Sequence, residues 1–194
     1  MIKKILIIIE IILYILILIQ NFGFIKYINY YNKICFLSIF FCIFITNNFK
    51  NSIIFFITTI ADYFLLFTNY YTIGIIFFII VQILRLFHYS TKKEIPIILV
   101  LFSLLIGIII KLLINTFIGI CTIYAFLLIS NAIIVIKQKK FYLSIGMILF
   151  ILCDFSVALY YLYPNLTISS KLIWIFYLPS AILLSFYDKK ECNQ

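Results

Sequence analysis

Charge is scarce in this chain. Six acidic residues, one arginine and one histidine are spread over 194 positions, and charged residues of either sign make up 11%. A soluble domain carries about 25% charged and about 45–50% apolar residues. Here the apolar share is 66% and the mean hydropathy is +1.26. So little charge excludes an ordinary soluble domain, and so much apolar character excludes disorder. Catalytic signatures are missing too. No GxSxG, HExxH, Walker or dinucleotide fingerprint occurs, which disfavours a serine lipase, a zinc protease and an ATPase. The five cysteines include no CxxC and no Cys/His cluster of zinc spacing. Cys35, Cys42, Cys121 and Cys153 lie in apolar runs and Cys192 lies in the tail. They read as small apolar side chains, with no disulfide and no metal expected.

Long apolar runs are what the chain does have. A transmembrane helix needs roughly 20 apolar residues, so eight would take about 160 and leave about 34 for loops and tails. No extramembrane domain fits in that remainder. The expected fold is all-α, a polytopic transmembrane bundle of eight helices forming a single domain over residues 1–194. The helices are expected near 5–22, 30–46, 53–67, 72–89, 95–111, 116–136, 141–163 and 171–187. The opening MIKK followed by Ile5 to Ile19 imitates a signal peptide. The run is too long for an h-region and no small-x-small site follows, so it reads as a retained helix. The second run, Ile34 to Thr46, spans only if Lys33 snorkels or the helix begins near Tyr27. Ile95 to Ile136 is about twice a membrane span, and its break is expected within Lys111 to Thr116.

Eight helices put both termini on one side. That side carries Lys3, Lys4, Lys50, Arg85, Lys92, Lys93, Lys137, Lys139, Lys140, Lys189 and Lys190. The other has only Lys26, Lys33, Lys111 and Lys171. Eleven against four places both termini in the cytoplasm. The net charge of +9 is thus mostly a topology signal, and no nucleic-acid partner is expected. The expected location is a bacterial inner membrane.

Ionisable residues inside a membrane are costly, so each is a functional hypothesis. Four qualify: Glu10, Asp62, Arg85 and Asp154. Asp62 lies about 14 Å into the third helix and Asp154 about 20 Å into the seventh, at 1.5 Å per residue. Thr58 and Asn69 are expected on the Asp62 face, and Gly146, Ala158 and Tyr161 on the Asp154 face. Each Asp could be a helix–helix anchor. Two deep carboxyls on helices of one direction look more like a shared site, where a protonated donor beside an ionised carboxylate suits acid-catalysed hydrolysis. Glu10 and Arg85 lie at similar depth and could form an ion pair; alternatively Arg85 binds a lipid phosphate. Gln82 stands three residues before Arg85. His88 reads as a bland interfacial residue. Pro179 should free the carbonyl of Ile175 and kink the last helix. Trp174 and Tyr177 near it are membrane anchors or cavity lining. Asn165-Leu166-Thr167 matches a glycosylation sequon, as many chance triplets do.

Several stretches carry a family resemblance. Thr59-Ile60-Ala61-Asp62-Tyr63-Phe64-Leu65-Leu66, then Gly74 and Phe77-Phe78 leading to Gln82, resembles the first signature of the YhhN-like lysoplasmalogenase family. Gly146 to Asp154 echoes the second, and Trp174 to Ser180 with Leu183-Leu184-Ser185 resembles the closing helix. Ala61 and Cys153 stand where the family usually has Gly and Ser; Gln82 and Arg85 stand where many members have His and Tyr. The resemblance implies eight helices and cleavage of the vinyl-ether bond of lysoplasmalogens to a fatty aldehyde and a glycerophospho-head group. Protonation of the vinyl β-carbon gives an oxocarbenium ion, water adds, and the hemiacetal collapses. One carboxylic acid donates the proton and one carboxylate steadies the cation. The expected set is Asp62 and Asp154 as catalytic carboxyls, with Gln82, Arg85, Tyr161 and Tyr177 against a lysophospholipid substrate. Membrane lipids are the other partners, no cofactor is expected, and the oligomeric state stays open. Two other readings stand: a small proton- or cation-coupled carrier built on helices three and seven, and a non-catalytic lipid-binding protein.

Overall fold

The computed structural model describes residues 2–21, 31–92, 94–163, 165 and 167–186. Among these are eight α-helices: α1 (Ile2–Asn21), α2 (Tyr31–Ile45), α3 (Phe49–Phe67), α4 (Tyr71–Tyr89), α5 (Glu94–Leu113), α6 (Thr116–Lys137), α7 (Phe141–Leu162) and α8 (Thr167–Ser185). Seven are long and apolar enough to cross a membrane, with α2 the shorter exception. The chain is an integral membrane protein of the polytopic helical kind, as its composition requires. Several expectations lie outside the described residues: the helix ends at Phe22, Tyr30 and Tyr187, the entry near Tyr27, the stop at Pro164, Leu166 of the sequon, Cys192, and Lys26, Lys93, Lys189 and Lys190 of the charge count.

The helices form two compact units: residues 1–55 with 141–194, and residues 56–140. In the first, α1 packs on α2 and α8, α2 packs on α8, and α7 packs on α8. Polar side chains fasten these helices where apolar packing gives little register. Near one end of α1, Lys3 Nζ donates to the Thr46 carbonyl at 3.0 Å and also to Asn47 Oδ1. At the other end Asn21 donates its amide to the Lys171 carbonyl at 3.2 Å. Between them the Tyr14 hydroxyl donates to the Ile175 carbonyl at 3.3 Å. That carbonyl is the one Pro179 leaves without its helical N–H, so the bond on α1 answers the gap on α8.

Two helix starts depart from expectation. α3 begins at Phe49 rather than near 53, and α8 at Thr167 rather than near 171. Lys50, Asn51 and Ser52 look like a polar loop. Two of them are helical because their side chains have tertiary partners. Asn51 donates to the Leu184 carbonyl at 3.1 Å, and Ser52 donates to the Ile43 carbonyl at 3.1 Å.

In the second unit, the end of α3 runs beside α4, α4 packs on α6, and α5 packs on α6. Gln82 pairs with Asn131, and Tyr89 pairs with Gln138, both 49 residues apart, so α4 and α6 run parallel. The break between α5 and α6 falls at Ile114-Asn115, inside the expected window. Asn115 caps α6, its Oδ1 accepting from the Ile118 N–H at 2.8 Å. Beside this turn the helices touch through glycine. A Cβ on Gly119 would stand 2.7 Å from the Gly107 carbonyl oxygen, so only small residues permit the approach. The outer face of α5, including Ile97, Ile98, Leu101, Leu105 and Ile108, is exposed and apolar, as lipid contact demands.

Candidate functional site

A group of buried polar side chains lies in the second unit. Asp62 of α3 is buried, as is Thr58 one turn before it. Asn69, expected on the same face, lies in the bend after α3 and is exposed; the helix ends at Phe67 and its face goes no further. On α4, Gln82 is fully enclosed and Arg85 is 1% exposed. His88, expected at the interface, is 5% exposed and lies against Tyr89, with ring centroids 5.8 Å apart. The buried stripe Phe78, Val81, Gln82, Arg85, Leu86 and Tyr89 has helical spacing. A stripe that would ordinarily be all apolar thus carries an amide and a guanidinium.

Asn131 of α6 completes this cluster, and the sequence reading passed over it. It is fully enclosed. Its Nδ2 donates to the backbone carbonyl of Gln82 at 2.9 Å and to Gln82 Oε1 at 3.0 Å. The backbone carbonyl can only accept, so it fixes which way the Asn131 amide points. Asn131 in turn fixes the Gln82 amide. Gln82 Nε2 and Asn131 Oδ1 are left as a buried donor and a buried acceptor, each without a partner. A signal was available in the sequence: Asn131 is an amide one turn and a half before the Lys137 end of a long apolar run.

Register along α3 and α4 follows from their contacts. A Cβ on Gly74 would lie 3.1 Å from the Ala61 carbonyl and closer still to Leu65, and Phe64 stacks on Phe77 at 5.7 Å. These antiparallel pairings set Asp62 about level with the turn of α4 around Ile76. Gln82 lies about 9 Å further along that axis and Arg85 about 4.5 Å beyond, at 1.5 Å per residue.

The remaining candidates lie in the first unit. Asp154 of α7 is half-buried between buried Cys153 and Ser156. Gly146 is a contact point for α8, where an added Cβ would meet Leu183 at 3.1 Å. Ala158 is exposed, and Tyr161 is 61% exposed near the end of α7. Tyr177 of α8 is buried, its ring 6.0 Å from that of Phe150. Glu10 is fully enclosed and accepts from the Ser38 hydroxyl of α2. An ion pair with Arg85 is one of two readings the sequence leaves open for it. Its partner is instead a neutral hydroxyl within its own unit, and Arg85 belongs to the other unit. Cys42 and Ser185 are buried with Ser38 in this unit, which makes a second polar cluster that sequence reasoning missed.

No protein family, curated protein or solved structure matches the chain. Among the described residues no group of three or more His, Cys, Asp or Glu side chains is placed to hold a metal ion.

Proposed function

We propose that this protein is an intramembrane hydrolase of single-chain ether lipids, cleaving a vinyl-ether bond to fatty aldehyde and a glycerophospho-head group in a bacterial cell membrane. One observation carries the reading: within one unit a carboxyl, an amide pair and a guanidinium, all buried, follow one another along apolar helices. Charges in such a place are retained for a task, because their desolvation costs several kcal/mol each. The chemistry available there is proton donation by a carboxylic acid, and a guanidinium suits a phosphate. Short motifs around Asp62 and Asp154 resembling the lysoplasmalogenase signatures support the same class.

The reading gives Asp62 the role of acid and Arg85 the phosphate. Asp154 is the second carboxyl it calls on, and each is tested by itself. Purified protein in nanodiscs is incubated with a lysoplasmalogen and free aldehyde is measured. Wild type should release aldehyde. Asp62→Asn and Asp154→Asn should each cut the rate by at least ~10²-fold, the low end for losing a general acid or base. Full activity in either variant removes that residue from the mechanism. Absence of aldehyde from the wild type, with proton-dependent solute uptake instead, would mean a carrier.

A further inference from the structure

We propose that Gln82 and Asn131 together form a hydroxyl-binding site, and that its ligand is the free hydroxyl on the central glycerol carbon of a single-chain lipid. The substrate class rests on the hydrolase reading above; the site itself rests on the amide pair. Both side chains are fully enclosed. Their mutual hydrogen bond and the Gln82 backbone carbonyl use up both Asn131 N–H donors and Gln82 Oε1. That leaves one donor group, the two N–H of Gln82 Nε2, and one acceptor atom, Asn131 Oδ1, on two adjacent amides. Leaving either unsatisfied in an apolar interior is costly. A hydroxyl of a ligand answers both, since it accepts one hydrogen bond and donates one, as a water would in its place. A phosphate, a carboxylate or a carbonyl can only accept, and an ammonium can only donate.

The position of the pair selects the hydroxyl. Along α4 the order is the Asp62 level, then Gln82 with Asn131, then Arg85, at steps of about 9 and about 4.5 Å. A single-chain glycerophospholipid carries the same order on three successive carbons: ether, free hydroxyl, phosphate. With the phosphate at Arg85, the middle carbon falls at the amide pair, and the ether with the vinyl carbons beyond it extends toward Asp62. A two-chain lipid has an ester at that middle carbon. An ester oxygen cannot donate to Asn131 Oδ1, so the pair discriminates against two-chain lipids, the bulk of any bilayer. A site built to hydrogen-bond a hydroxyl rejects an analogue without it far more strongly than an apolar pocket rejects a methylene.

The test uses a saturated 1-O-alkyl lysophospholipid, which has no vinyl ether to cleave, and its 2-deoxy analogue, which lacks only the hydroxyl. Each displaces a fluorescent single-chain lipid from purified protein in nanodiscs. Wild type should bind the hydroxyl form at least ~10-fold more tightly, the ratio expected for two neutral hydrogen bonds. Asn131→Leu and Gln82→Met should bring the two ligands to within about twofold of each other, mainly by weakening the hydroxyl form. Equal binding of both ligands by wild type overturns the proposal and makes the pair a helix anchor or a seat for water only. Discrimination that survives in both variants overturns it too, by placing selectivity elsewhere. Should Asn131→Leu fail to fold, the wild-type comparison and Gln82→Met still decide. Because neither ligand is cleavable, the result is independent of the hydrolase reading. Hydroxyl-dependent binding without aldehyde release from a lysoplasmalogen keeps this site and removes the enzyme; aldehyde release without discrimination does the reverse.

Discussion

Tyr14 and Pro179 should be energetically coupled, although they lie on different helices. Pro179 has no N–H to give the carbonyl of Ile175, four residues before it. The Tyr14 hydroxyl supplies the missing donor from α1 at 3.3 Å. The bond is long, so its value should sit in the usual range for side-chain hydrogen bonds in membranes, about 0.6 and at most about 1.7 kcal/mol. Tyr14→Phe should therefore destabilise the wild type by about 0.5–1.5 kcal/mol, a shift of roughly two- to tenfold in the unfolding equilibrium. In a Pro179→Ala background residue 179 regains its N–H and the helix can close on Ile175. There Tyr14→Phe should cost less than about 0.3 kcal/mol, and the difference is the coupling energy. The assay is reversible unfolding of the four proteins in mixed micelles, followed by far-ultraviolet circular dichroism. Pro179→Ala will have its own effect through packing, which the cycle cancels. An equal cost of Tyr14→Phe in both backgrounds would refute the reasoning and make the hydroxyl's contribution independent of Pro179.

Other consequences are read in the same assay or in simple ones. Gly119→Ala should destabilise by about 1–3 kcal/mol, because its Cβ would meet a backbone oxygen that cannot step aside. Gly146→Ala should cost less, since the Cβ there meets only leucine side chains at 3.1–3.2 Å. Glu10→Gln should keep its acceptor for Ser38 and stay within about 0.5 kcal/mol of wild type, while Ser38→Ala should lose about 1 kcal/mol; a loss above about 2 kcal/mol in Glu10→Gln would point to a charged partner for the carboxylate. Arg85→Ala should weaken lysolipid binding more than turnover if the guanidinium holds the phosphate. Reporters fused to either terminus should read cytoplasmic, as the Lys/Arg asymmetry requires.

Much of the fold was legible because lipid imposes one rule on every helix. Each span must be about 20 apolar residues, so counting located the seven long helices and the shorter α2. The α5–α6 break was legible because Asn115 is both a polar interruption and an N-cap. The start of α3 was not. Lys50, Asn51 and Ser52 have loop chemistry, and two of them find partners on other helices, Asn51 the Leu184 carbonyl of α8 and Ser52 the Ile43 carbonyl of α2. Among site residues, the burial of Asp62, Arg85 and Gln82 was legible from charge and amide alone inside apolar runs. Tyr161 was placed by helical spacing from Asp154, and spacing says which face of a helix a residue shares, not whether that face is covered. Tyr161 is exposed.

The residues missed share a physical cause. Asn21 bonds the carbonyl of Lys171, Asn51 that of Leu184, Asn131 that of Gln82, and Gln138 that of Tyr89. In every case an amide on a helix or at its cap donates to the backbone of another helix. A salt bridge announces itself twice in a sequence, once for each charge. An amide–carbonyl bond announces itself once, because every residue has a carbonyl. Charge alone therefore offers Glu10 only the one arginine as a possible partner, while Ser38, a residue of ordinary appearance, holds the bond. In a chain with six acids and one arginine, helix pairing has few charges to draw on and relies on amides, hydroxyls and backbone oxygen. The same economy explains the Gln82–Asn131 pair. Two neutral amides can share a site in lipid without the desolvation penalty of an ion pair, and still keep a donor and an acceptor to offer.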